Sequence, residues 1–125
     1  MSIDKAQIKA RRAIESLYTG ICNVIVYDDV TDPETHLTEK DEVVVFENIP
    51  CKLSFERVNS NVSSETYSEK GQGVKLFVNP ELVVPPGSKI VVEQNNVVNA
   101  YKLSGEPAVY ASHQEIPLEL FERWA

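Results

Sequence analysis

The side chains able to do chemistry in this sequence are few, and their spacing does not suit catalysis. His36 and His113 each lack a cysteine or a second histidine at ligand spacing, so neither predicts a metal centre. Asp28, Asp29, Asp32 and Glu34 gather four carboxylates, but without the glycine and terminal bidentate glutamate with which an EF-hand loop wraps calcium. A solvated hairpin turn accounts for them. No serine stands in a Gly-x-Ser-x-Gly elbow and no cysteine stands beside a histidine, so no activated nucleophile is predicted. Gly71-Gln72-Gly73 lacks the rest of any phosphate-loop fingerprint and precedes a strand instead of a helix. The expectation is a protein that is not an enzyme and holds neither metal nor cofactor.

Binding is better supported. Residues 57–73 carry Asn59, Ser60, Asn61, Ser63, Ser64, Glu65, Ser68, Glu69 and Lys70, with only Val58, Val62 and Tyr67 to interrupt the polar run. Such residues offer hydrogen bonds without fixing a conformation. A structureless connection of this length is uncommon inside a compact domain and is usually functional or disordered. Near the C-terminus, Phe121, Arg123 and Trp124 include residue types enriched at interface hot spots; a Trp that closes a barrel end is the alternative. Lys5, Lys9, Arg11 and Arg12 make the N-terminal end the basic part of the chain. The candidates for docking a partner are Lys9, Arg11, Arg12, Phe121, Arg123 and Trp124.

The elements that must hold these residues are mostly strands. Val43–Phe46 and then Ile49, Cys51, Leu53 and Phe55 alternate with polar residues, and Val74, Leu76 and Val78 share one face of a second segment. Residues 2–18 have helix chemistry: Asp4 and Gln7 resemble a capping box, Ala6, Ala10, Ala13, Ile14 and Leu17 follow helical spacing, and Gly20 sits where a left-handed C′ residue is wanted. The stripe is thin, so this helix must lean on the body of the domain, as a plug for a barrel end, or on another protein. Residues 21–28 are β-rich and 29–41 form a turn region containing Asp32-Pro33. Asn79-Pro80 and Pro85-Pro86-Gly87 stop a strand. Residues 89–93 and 97–103 form a hairpin around Asn95-Asn96. A turn at 104–107 leads to 108–111 and a last strand containing Pro117, which cannot donate to a ladder and predicts an edge strand or a strand used elsewhere. The fold class that follows is mainly β: a small antiparallel barrel or sandwich of six or seven strands with one N-terminal α-helix. With no repeat or linker, residues 1–125 read as one domain, helix in 1–19 and barrel in 20–125.

The totals bound the partners. A chain of 125 residues can build its own core. No apolar run reaches the length of a membrane span, and the first residues lack a signal-peptide core. The expectation is a cytosol-like compartment, with Cys22 and Cys51 reduced and buried as small hydrophobes. A net charge of −7 argues against tight binding of duplex nucleic acid, while a lining of that sign lets a strand pass without sticking.

Several phrases together resemble a family. Residues 49–55 (Ile-Pro-Cys-Lys-Leu-Ser-Phe), 74–78 (Val-Lys-Leu-Phe-Val), 86–90 (Pro-Gly-Ser-Lys-Ile) and 104–110 (Ser-Gly-Glu-Pro-Ala-Val-Tyr) carry it, with His113-Gln114-Glu115 and 118–122 (Leu-Glu-Leu-Phe-Glu) before Trp124. They resemble the small head-tail connector proteins, also called head completion, head closure or stopper proteins, of tailed phages and prophages of Gram-positive bacteria. The resemblance spans residues 18–125. It implies a small β-barrel with a helix that assembles, from monomers, into a ring below portal and adaptor and offers the tail a docking surface. DNA would pass through, and a long inter-strand loop, here residues 57–73, would gate the channel. The location implied is the virion, with host cytoplasm during assembly. Two other readings stay open: a barrel binding an oligosaccharide or single-stranded nucleic acid through Tyr27, Phe55, Phe77 and Tyr101, and a small hydrolase whose groups converge only in the fold.

Overall fold

The computed structural model describes residues 5–57 and 72–125. Helix α1 (Lys5–Glu15) precedes seven strands: β1 (Gly20–Thr31), β2 (Thr38–Arg57), β3 (Gln72–Val78), β4 (Lys89–Gln94), β5 (Val97–Leu103), β6 (Ala108–Val109) and β7 (Gln114–Leu120). All pairings are antiparallel, in the order β3-β2-β1-β4-β5-β7-β6, and β3 also pairs with β7. That last pairing closes six strands into a barrel, with β6 appended to β7. Closure removes the free edges that an open sheet of this size would expose. The expected fold class is the observed one.

Alternation decides what lies inside. Cys22, Val24, Cys51, Leu53, Leu76, Val78, Ile90, Val92, Tyr101, Ile116 and Leu118 form the core. Each large aliphatic buried here contributes about 1.5–3 kcal/mol relative to exposure. Residues 79–88 cover one barrel end: Leu82 and Val84 join the core, and Gln114 Nε2 donates to the carbonyls of Asn79 (3.2 Å) and Leu82 (2.8 Å). Helix α1 buries no residue and is not the plug. Gly87 (φ 81°) follows Pro85-Pro86, and Ser88 N–H donates to the Pro85 carbonyl at 3.2 Å, a type II turn. Asn95 and Asn96, at φ 54° and 63°, make the expected type I′ hairpin.

Four local expectations are corrected. Gly20 opens β1 instead of capping α1. A Cβ there would lie 3.0 Å from Gln94 Oε1 and 3.2 Å from the Cys51 carbonyl, so glycine serves a close approach. Residues 29–41 are mostly strand, since β1 and β2 stay paired out to Thr31–Thr38 and only 32–37 turn. Phe55 keeps the parity of Leu53 but is 51% exposed. Finally, β7 is no edge strand: β3 pairs on one side, β5 and β6 on the other. The Pro117 carbonyl accepts from Ser104 N–H at 2.9 Å, and the N of a strand residue points to the same side as its carbonyl. The missing donor therefore faces Ser104, one residue past the end of β5, so proline costs the sheet a single reciprocal bond at the end of that ladder.

Candidate functional site

Three features stand outside the core, and each is built by a different part of the sheet. The first is a ribbon. β1 pairs with β4 only over Ile21–Ile25, whereas its pairing with β2 continues through Val26–Val43 to Thr31–Thr38. Beyond Ile25 the two strands have only each other as strand partners among the described residues. Two register shifts fall where ribbon meets barrel, with Asn48 at φ 52° and its N–H donating to Asn23 Oδ1 at 2.8 Å. Bulges sharpen twist and bend a strand pair, so the run Val43–Phe46 need not keep one face inward, and Val44 and Val45 are exposed. At the tip His36 takes φ 59°, and Asp32 Oδ1 accepts from Glu34 N–H at 2.8 Å. The acidic group Asp28, Asp29, Asp32 and Glu34 is exposed along this ribbon. Among the described residues no three His, Cys, Asp or Glu side chains are arranged to hold a metal ion.

The second feature clasps the ribbon's base. Trp124 stacks on Tyr27 (centroids 5.2 Å apart, 13° between planes) and meets Phe121 edge-on at 4.9 Å. Lys89 Nζ lies 5.3 Å from the Phe121 ring centre and 5.6 Å from that of Trp124 and ion-pairs with Glu42, to which Trp124 Nε1 also donates at 3.0 Å. Lys89 and Trp124 hold the Glu42 carboxyl below its ordinary range. Phe121 and Trp124, predicted to dock a partner, are thus brought together within the chain, while Arg123 is exposed.

The third is a groove of about 290 Å³ between the end of α1 and the barrel, lined by Ile14, Leu17, Tyr18, Lys52, Phe77 and His113. Burial pushes the Tyr18 phenol up to about 12, and its oxygen is buried without a hydrogen-bond partner among the described residues. His113 is held at both nitrogens, Nδ1 by Ser112 Oγ (2.9 Å) and Nε2 by Glu115 Oε2 (2.8 Å), and stacks on Tyr110 at 4.9 Å. The His113 contact, helped by Lys75, lowers the Glu115 carboxyl. Such a ring is a rigid wall. Arg11 bonds Glu15 and both oxygens of Glu81, so this predicted docking residue ties α1 to the loop that follows β3. Lys9 and Arg12 are exposed.

Not every predicted residue is placed. Asn59, Ser60, Asn61, Ser63, Ser64, Glu65, Tyr67, Ser68, Glu69 and Lys70 lie outside the described residues; the segment holding them joins Arg57 and Gln72, which are register partners. Tyr27, Phe55, Phe77 and Tyr101 do not form one binding face: Tyr101 is in the core, Phe77 lines the groove, Tyr27 lies under Trp124, and Phe55 is exposed. The groove was not legible in sequence because its walls come from four separate stretches. The ribbon left a signal in the β-branched Val30, Thr31 and Thr38 flanking Asp32-Pro33.

Among the described residues no helix is long and apolar enough to cross a membrane. No family model and no curated protein matches the chain. Among solved structures it is similar to the phage-like element PBSX protein xkdH from Bacillus subtilis, at 10% identity over 80% of this chain and 91% of that one, with a TM-score of 0.46. A likeness of that size carries no argument about what this chain does.

Proposed function

We propose that this chain is a structural component of the head-tail connector of a tailed phage or prophage. It forms a ring below portal and adaptor, continues the DNA channel, gates it with residues 57–73, and offers the tail a docking surface. The protein is not an enzyme in this reading and needs no cofactor. It is a monomer when isolated, joins the virion from the host cytoplasm, and lets DNA pass without tight binding.

The reading starts from the sequence phrases that resemble such connectors, and one structural observation supports it. β2 carries the exposed ribbon at one end and leads at the other, through Arg57 paired with Gln72, into the segment 58–71. A barrel closed on itself, with a projection at one end of its longest strand and an insertion at the other, suits a subunit whose neighbours are other proteins. The acidic balance, −7 over the chain, suits a channel lining that repels phosphate.

Electron microscopy of the protein mixed with the portal and adaptor encoded beside it tests this, alongside light scattering of the protein alone. The expected result is a ring on the portal with density from residues 57–73 crossing the channel. Persistent monomer without portal binding would overturn it.

A further inference from the structure

We infer that the β1–β2 ribbon of one copy docks into the groove between α1 and the barrel of the next copy, with Leu37 as its apolar knob. The inference rests on the ring reading above and names the contact that would join its subunits.

The groove has mainly apolar walls in Ile14, Leu17, Tyr18 and Phe77, and Leu17 is 56% exposed beside it. At about 290 Å³ it lies at the small end of ligand sites and suits one or two aliphatic side chains better than a cofactor. The ribbon supplies such a side chain. From Val26 to Thr31 it extends roughly 20 Å past the barrel at a strand's rise per residue, and Leu37 at its tip is 63% exposed. A polar side chain would serve that turn equally well in water.

Charge selects the partner. The ribbon carries Asp28, Asp29, Asp32, Glu34, Glu39 and Asp41 against Lys40, besides Glu42 at its base, which Lys89 pairs. Asp28 and Asp41 are direct cross-strand partners, an arrangement that costs stability when left alone. Among the described residues no cation forms an ion pair with either. The basic element is α1, where Lys5, Lys9 and Arg12 stand at i, i+4 and i+7, one exposed stripe on the side of the helix away from Ile14, which attracts an acidic ribbon toward the groove without lining it. Lys52 adds a cation at the groove itself. Two such acidic molecules repel over most of their surfaces, so the basic helix is the place where an acidic ribbon gains by approaching. Ribbon and groove are different surfaces of one chain. Their contact is therefore head-to-tail, the kind that closes into a ring when the rotation allows.

Cysteine cross-linking of the full chain under mild oxidation, at high concentration and low salt, tests the contact. Cys22 and Cys51 are buried and stay silent. L37C mixed with L17C should give mixed dimers several-fold above a control pair of V97C with L17C, Val97 being exposed on the β4–β5 hairpin. The double variant L37C/L17C should give a ladder. K9E/R12E should suppress cross-linking, and D28K/E39K in the same chain should restore it. Oligomers by light scattering without the 37–17 link would overturn this contact and leave the ring standing. Monomer throughout, with cross-linking no better than the control, would also overturn it, while ring formation on the portal is judged separately by microscopy.

Discussion

Tyr18 shows how a single atom can be out of step with its surroundings. Its ring lines the groove, yet its buried hydroxyl has no hydrogen-bond partner among the described residues, a state that costs about 1–3 kcal/mol. Tyr18→Phe keeps the ring and removes the orphan. Urea denaturation should show stability unchanged or raised by up to about 1 kcal/mol; a loss of that size would mean the hydroxyl has a partner after all. The two cysteines present the opposite case. Hydrogen bonding to Cys22, with burial, raises the Cys51 thiol well above its usual range. Reactive cysteines are exposed; Cys22 and Cys51 are buried, so they behave as the small hydrophobes their sequence positions suggested.

At the scale of elements, the ribbon is the least supported part of the sheet, because isolated two-stranded pairs are marginal in water. Its base depends on the aromatic clasp at the C-terminus. Trp124→Ala removes the stack on Tyr27, the edge contact with Phe121 and the bond to Glu42. Thermal or urea unfolding should show a loss of about 1–3 kcal/mol, and amide exchange should quicken at Val26, Tyr27 and Glu42 before it quickens in the barrel. Uniform exchange across both regions would mean the clasp does not brace the ribbon. Helix α1 is equally lightly held, by the groove wall and by Arg11 on Glu81. Exposed ion pairs of that kind contribute little, which fits an element that completes its packing against a neighbour.

Over the whole molecule, charge sets the response to acid. Glu42, Glu81 and Glu115 are each held below the ordinary carboxylate range, by Lys89, Arg11 and His113 respectively. Their folded-state values lie below the unfolded ones, so between the two the unfolded chain binds more protons. The stability they contribute is complete above the unfolded value of about 4.3 and is lost as pH falls through the folded values. Melting temperature should therefore hold nearly level from neutral pH to about 5 and drop below about 4. Glu42→Gln, Glu81→Gln and Glu115→Gln together should flatten that drop, and an unchanged drop would place the acid sensitivity elsewhere.

The period-two runs Cys51–Leu53 and Leu76–Val78, the Asn95-Asn96 turn and Pro85-Pro86-Gly87 are local facts, and short-range sterics with alternation are enough to read strands and turns from them. They determined that the chain is β-rich with one helix. What only the tertiary structure decided depends on partners far along the chain: that β7 meets β3 and closes the barrel, that Pro117 sits harmlessly inside it, that Gly20 serves Gln94, and that Trp124 stacks on Tyr27. Whether a residue is a core member, a groove wall or an exposed knob is set by which strand lies beside it. Alternation names two faces without saying what covers either one.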